Sequence, residues 1–317
     1  MWSRPREITT ENARFLPRFQ SLCERFGFLP VYLTNFEMAE CPRFREFAQD
    51  LLRRGTGEIG MHLHAWNQPP IVPLTADDLA HQPFLMEYPE AVMREKVNRL
   101  TGLLEDRFGV KMHSHRAGRW GLSPAYARTL IDQGYTVDCS VTPGVDWSSN
   151  LGDPAGRGGS DYTGFPDTAY ELDPSDLRRP GTSGLLEVPM TVLSLEPEPV
   201  RWLAGRLPAR SLPAKILRRF YPPLAWLRPE PGNRRRLLRV LDQAAAEKRE
   251  FVEFMLHSSE FMPGGSPTFP DAASIEALYE DMEALFAHAA RSWKGQTLAG
   301  FAADWKAARS RRLHGAA

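Results

Sequence analysis

The sequence predicts an α/β protein built on a parallel sheet or barrel. Apolar runs of strand length alternate with segments whose apolar residues recur at helical spacing, and the turns between them are short. Polar residues capable of chemistry sit where successive strands run out into loops, as they do in parallel α/β folds.

Taken in order, Glu11 to Phe26 is the first predicted helix. Phe15, Phe19, Leu22 and Phe26 share one face, Thr9 or Thr10 can cap the start, and Gly27 ends it. "LPVYLTNFEM" (Leu29 to Met38) reads as a buried strand. "CPRFREFAQDLLRRGTG" is a helix with Pro42 in its first turn and Gly55 past its end. "EIGMHLHAW" is the next strand, followed by a long loop and the helix "PEAVMREKVNRLTGLLEDRFG". "MHSHRAG" is a short strand, "SPAYARTLIDQGY" a helix opened by Ser-Pro, and "TVDCSVTPG" a strand. "NLGDPAGRGGSDYTGFP" is a Gly, Asp and Pro-rich stretch expected to be a long irregular loop. "GLLEVPMTVL" resumes as a strand, and "KREFVEFMLHSSEF" is a late strand ending in His257. Two helices, Ala272 to Ala289 and Gln296 to Arg309, close the chain.

The bulk numbers bound the possibilities. The 317 residues, 42% of them hydrophobic, suit one large α/β domain, residues 1–317, with a basic helical insertion at about 200–240. That segment, Arg201 to Arg239, holds eleven Arg or Lys against one Glu. Over the whole chain 39 basic residues balance 39 acidic ones, so no global field argues for nucleic acid. The sequence has no run of about eighteen apolar residues, the length needed to cross a membrane. The first residues, "MWSRPREITTENARF", lack the apolar core of a secretory signal. Together with three scattered cysteines (Cys23, Cys41, Cys139), this leads to the expectation of a cytoplasmic protein with reduced thiols.

His62 and His64 stand two apart at a strand end. Side chains at i and i+2 share a face of a strand, so both imidazoles can meet one divalent metal, zinc by preference. Alternatively, one of them is a core histidine bonded to a backbone carbonyl. Arg116 in "SHRAGRWG" can fix a carboxylate or an anionic substrate group, or form an ordinary ion pair. Asp138 in "VDCS" can orient a ligand or cap a turn. His257 follows an apolar run and suits general acid chemistry. Trp66, Trp120 and Trp147 follow three of these motifs and can stack on sugar faces, or pack in the core.

In order and spacing, "EIGMHLH", "HRAGRWG", "DCSVTP" and "MLH" resemble the second to fifth motifs of the polysaccharide deacetylase family (carbohydrate esterase family 4, NodB-homology domain). The resemblance runs from about Pro30 to His257. It implies a distorted (β/α)7-type barrel and a divalent-metal hydrolase that removes N- or O-acyl groups from sugars, with a carboxylate base and a late histidine that protonates the leaving group. Under it His62 corresponds to the first metal histidine, Arg116 to the arginine that tethers the catalytic carboxylate, Asp138 to the aspartate of the fourth motif, and His257 to the general acid. The chain departs from the pattern twice. The second metal histidine usually lies four residues after the first, where this chain has Trp66, so His64 must substitute. The paired aspartates of the family's first strand have no counterpart ahead of the first helix, and Glu37 lies on what corresponds to the second strand. Two expectations follow: either an upstream strand ending in such carboxylates belongs ahead of Met1, or the chain is a degenerate, non-catalytic sugar-binding relative. The expected partner is a carbohydrate, with an anionic glycan or membrane surface possible through the basic insertion.

Overall fold

A computed structural model describes residues 8–208, 211–221 and 223–314. The chain divides into two compact units, Met1–Pro189 with Lys294–Ala317, and Met190–Trp293.

The first unit opens with a single 3-10 turn and α1 (Leu16–Arg25), then β1 (Val31–Thr34). The strand ends four residues earlier than its apolar run suggests. Asn35 accepts a hydrogen bond from the Met38 amide and starts α2 (Phe36–Glu40), because a capping side chain here competes with further strand. α3 (Pro42–Arg54) has proline at its first position and stops at Gly55, which adopts a left-handed φ of 63° that a β-carbon would strain. β2 (Glu58–Leu63), a short α4 (Asp78–His81) and the long α5 (Glu90–Phe108) follow. Next come β3 (Ser114–Ala117), α6 (Pro124–Asp132) capped by the Ser123 hydroxyl, and β4 (Val137–Asp138). β5 (Tyr170–Glu171) and β6 (Leu186–Glu187) complete the sheet.

The strands lie in the order β1-β2-β3-β4-β6-β5. Every pair from β1 to β6 is parallel, and β5 runs antiparallel to β6. The α/β class holds, but the closed (β/α)7 barrel does not form among the described residues: β5 ends the sheet antiparallel. The late strand expected before His257 is also not assigned, although His257 itself is extended at φ −90° and ψ 143°. Part of the reason is local. The Glu253 amide donates to the Thr191 side-chain oxygen at 2.7 Å, where a ladder would require a carbonyl.

The pleat gives the sheet two distinct faces. Met61, His115, Asp138 and Glu187 are register partners and point one way, toward α5 and α6. There Thr101 of α5 bonds the Tyr135 hydroxyl at 2.8 Å, and Tyr126 of α6 reaches His115. Glu58, Gly60, His62, Ser114 and Arg116 point the other way. On that face the Glu58 carboxylate accepts from the Ser114 hydroxyl at 2.5 Å and from the Ala299 amide at 3.0 Å, in the first turn of α11 (Leu298–His314). A carboxylate there is favoured by the exposed amides and the helix dipole.

The second unit holds the antiparallel pair β7 (Val192–Leu193) and β8 (Ala225–Trp226). Its helices are α7 (Glu198–Ala204), α8 (Leu212–Phe220), α9 (Arg234–Ala246) and α10 (Ala272–Ala289). The basic insertion expected at about 200–240 falls inside this unit.

One buried charge fixes the loop after β2. Lys96 of α5 is almost fully buried, and its ammonium donates to the carbonyls of Ala65 (3.0 Å), Gln68 (2.7 Å) and Pro70 (2.6 Å). Three donors meet three acceptors, which is what makes burial of this ion tolerable. Burial still pulls its pKa down to about 8. Lys96→Met strands three carbonyls and is expected to lower stability by about 2–3 kcal/mol at neutral pH. The folded chain releases this proton before the unfolded chain does, since a free lysine titrates near 10.4. Stability contributed by this group therefore rises with pH, from about 8 to about 10.4. Urea midpoints of wild type and variant should diverge across that window; a constant difference between them would contradict the assignment.

Candidate functional site

The candidate site lies at the carboxyl end of β2 and β3. His62 is the fifth residue of β2, and its Nδ1 lies 2.8 Å from the Arg116 carbonyl oxygen. A carbonyl only accepts, so Nδ1 carries the proton and Nε2 is the nitrogen with the lone pair. This backbone contact sets tautomer and ring plane, as carbonyl partners do for metal-binding histidines. His64 follows the strand. Its ring centroid is 4.6 Å from that of His62, with the planes at 70°, and it stacks on Trp66 at 4.6 Å and 15°. The close approach of β3's exit requires a glycine: a β-carbon on Gly118 would stand 2.3 Å from the Leu63 carbonyl and 2.7 Å from the His64 ring.

Arg116 is buried beside His62 in register. Its Nε donates to the Cys139 carbonyl at 3.1 Å, and its guanidinium lies over the Trp120 ring at 4.9 Å. Trp120 reaches that position through an unusual turn. Arg119 and Trp120 both have left-handed φ, at 53° and 63°. Two such residues in a row cost about 1–3 kcal/mol each. The turn is held from three sides: the Arg119 guanidinium donates to the Gln82 and Leu151 carbonyls and lies over Phe84, and the Tyr162 hydroxyl donates to the Trp120 carbonyl. Trp147 is on the loop after β4, half-buried, with its indole N–H donating to Thr142 at 2.9 Å.

Glu37, in the first turn of α2, accepts from the Asn67 amide, one residue after Trp66. Burial holds its carboxyl above the ordinary value, and its second oxygen, Oε2, is buried without a hydrogen-bond partner.

Asp138 belongs elsewhere. It is fully buried and points to the face opposite His62 and Arg116. Oδ1 accepts from His115 Nδ1 at 2.5 Å and from the Ser140 hydroxyl at 2.9 Å, while Oδ2 accepts from the Ser140 amide at 3.1 Å. His115 Nε2 meets the Tyr126 hydroxyl at 2.6 Å. Burial alone would raise the pKa of Asp138, but these bonds outweigh it and hold the carboxyl low. The aspartate ties β3 to β4 from behind the candidate site. Glu187, the register partner of Asp138 on β6, is a lone carboxylate inside the apolar run "GLLEVP" and accepts from the Val141 amide at 2.9 Å.

His257 is in the second unit, where it is exposed. Its Nδ1 lies 3.4 Å from an Arg228 guanidinium nitrogen and 3.5 Å from Glu260.

A catalytic zinc takes three protein ligands and keeps one open position. His62 and His64 would supply at most two of the three. Among the described residues no group of three or more His, Cys, Asp or Glu could hold a metal. The donor set as described is therefore incomplete.

Two measurements check these placements. Metal-free protein labelled with 15N-histidine should show His62 with its proton on Nδ1, and a proton on Nε2 would contradict the Arg116 contact. Asp138→Ala removes the buried carboxylate that His115 and Ser140 bond, and should cost about 3–5 kcal/mol in chemical denaturation; near-wild-type stability would mean that Asp138 is not the tie described.

No protein-family model matches the chain, and no curated protein matches it. Among solved structures it is similar to one described as a "putative polysaccharide deacetylase" from Mycobacterium smegmatis. The identity is 17%, the TM-score is 0.49, and the match covers 93% of this chain and 78% of that one. A likeness at this level assigns neither a family nor an activity.

Proposed function

We propose that the first unit carries the site of a metal-dependent hydrolase that removes an acyl group from a carbohydrate, acting in the cytoplasm on a precursor of a surface glycan. The observation that supports this most is the pairing of His62 and His64, with the His62 tautomer set by the Arg116 carbonyl so that Nε2 bears the lone pair. A divalent ion held there supplies Lewis acidity toward an acyl carbonyl. The remaining roles belong to this chain's own groups. Trp66 and Trp120 are half-buried aromatic surfaces next to His64 and Arg116, suited to the apolar faces of a sugar ring. Arg116 is a buried cation that can orient an anionic or carbonyl group. The general-acid role of His257 rests on the motif resemblance alone.

A second reading has its own support. Two imidazoles fall short of a catalytic donor set, so the chain is a non-catalytic carbohydrate binder if the set stays incomplete. The two readings separate experimentally. The dialysed protein is expected to hold well below one zinc per chain. With zinc supplied in excess, acetate release from a panel of N- and O-acetylated oligosaccharides should be detectable. His62→Ala and His64→Ala should each lower it by about a hundredfold, in line with the loss of a metal-site residue. Absence of acetate release with oligosaccharide binding intact in all three proteins would reject the hydrolase in favour of the binder.

A further inference from the structure

Among the described residues, no helix is long and apolar enough to cross a membrane. Within the second unit, however, α7 and α8 carry an amphipathic pattern that is turned inside out. Leu212, Ile216 and Phe220 follow each other at i, i+4 and i+8, a stripe about 80° wide on the helix surface. These are the side chains that should face a core. Instead they are 69%, 52% and 65% exposed, while Ala214, about 160° around the helix from Ile216, is 2% exposed. The small residue faces the protein and the large apolar ones face away from it. Trp202 of α7 is 61% exposed, with the Arg206 guanidinium stacked on it at 3.5 Å, and Leu203 is exposed beside it. Single exposed apolar residues are ordinary; five in two adjacent helices form a patch that calls for a partner.

The charges decide which partner. From Pro199 to Phe220 the sequence has six Arg or Lys and no Asp or Glu. Arg219 and Lys215 line one edge of the stripe at helical spacing, and Arg201 and Arg206 accompany Trp202. Two copies meeting through this face would bring like charges together. An apolar stripe bordered by long cationic side chains, with Trp and Phe among its apolar groups, fits the headgroup boundary of an anionic bilayer. We propose that α7 and α8 form a docking surface for an anionic membrane, with Trp202, Leu212, Ile216 and Phe220 entering the headgroup region and the flanking arginines and Lys215 pairing with lipid phosphates. The proposal is independent of the acyl-hydrolase reading, because it needs neither substrate nor metal.

The test is co-sedimentation of the full chain with vesicles of phosphatidylcholine alone or mixed with phosphatidylglycerol. The expected result is at least about tenfold more binding to the anionic vesicles, weakened by salt as the charges are screened. Two triple variants separate the contributions: Leu212→Ser/Ile216→Ser/Phe220→Ser for the apolar stripe, and Lys215→Gln/Arg218→Gln/Arg219→Gln for the charge. All six side chains are exposed, so both variants should keep the wild-type circular dichroism spectrum. Each should lose most of the binding. Equal binding to neutral and anionic vesicles, or binding that survives both variants, overturns the proposal. So does a concentration-dependent dimer that the apolar variant abolishes, which would make the stripe a contact between copies.

Discussion

Parallel register combined with the pleat governs what this sheet can present. His62 stands opposite Arg116, and His115 stands opposite Asp138. Neighbouring positions along a strand alternate faces. Once β2 and β3 pair in this register, His62 and Arg116 must share one side, while His115 and Asp138 must share the other. The first pair lies at the open end of the sheet. The second is sealed under α5 and α6, where every polar group has to find a protein partner. Asp138 does so through His115 and Ser140. A one-residue slip between β2 and β3 would exchange the two sets and leave buried polar groups without partners. The hidden network therefore helps to fix the register on which the visible site depends.

Much of this order was legible in the sequence. The alternation of strand and helix, the Ser-Pro opening of α6, Pro42 and Gly55 bounding α3, and the span of α10 all follow from local signals. Local rules also explain why β1 stops at Thr34: Asn35 caps α2, and a capping residue inside an apolar run is easily mistaken for strand. What local rules do not carry is the face on which a strand-end residue falls. Arg116 and Asp138 look equivalent in sequence, each polar and each at the end of a short apolar run. Only register separates them, and register is a property of two strands. The late run before His257 shows the same limit, since strand propensity does not supply a neighbouring ladder.

Lys96 and Glu187 were illegible for a related reason. Each is a charge within an apolar pattern, which composition alone treats as an interruption. Their partners are backbone carbonyls of a loop about 28 residues away for Lys96 and the Val141 backbone amide, 46 residues away, for Glu187. A buried charge of this kind is tolerable only when distant chain brings the complement. Its signature is therefore tertiary.

The backbone supplies most of the positioning at the candidate site. Carbonyls at the carboxyl end of a parallel strand run past the last ladder bond and must find other donors. Here side chains from the preceding strand supply them. His62 of β2 donates to the carbonyl of Arg116 in β3, and Arg116 donates to the carbonyl of Cys139 just after β4. Each contact steps one strand across the sheet, so an imidazole on β2 is oriented by a residue whose own side chain is oriented by the next strand. Lys96 applies the same principle to the Ala65, Gln68 and Pro70 carbonyls, holding the loop that presents Trp66. Sites at this end of parallel sheets are usually ascribed to variable loops. In this chain the loops bring the aromatic rings, but the polar groups are aimed by strand carbonyls. A substitution that keeps the loops and shifts the strands would therefore disturb His62 and Arg116 together.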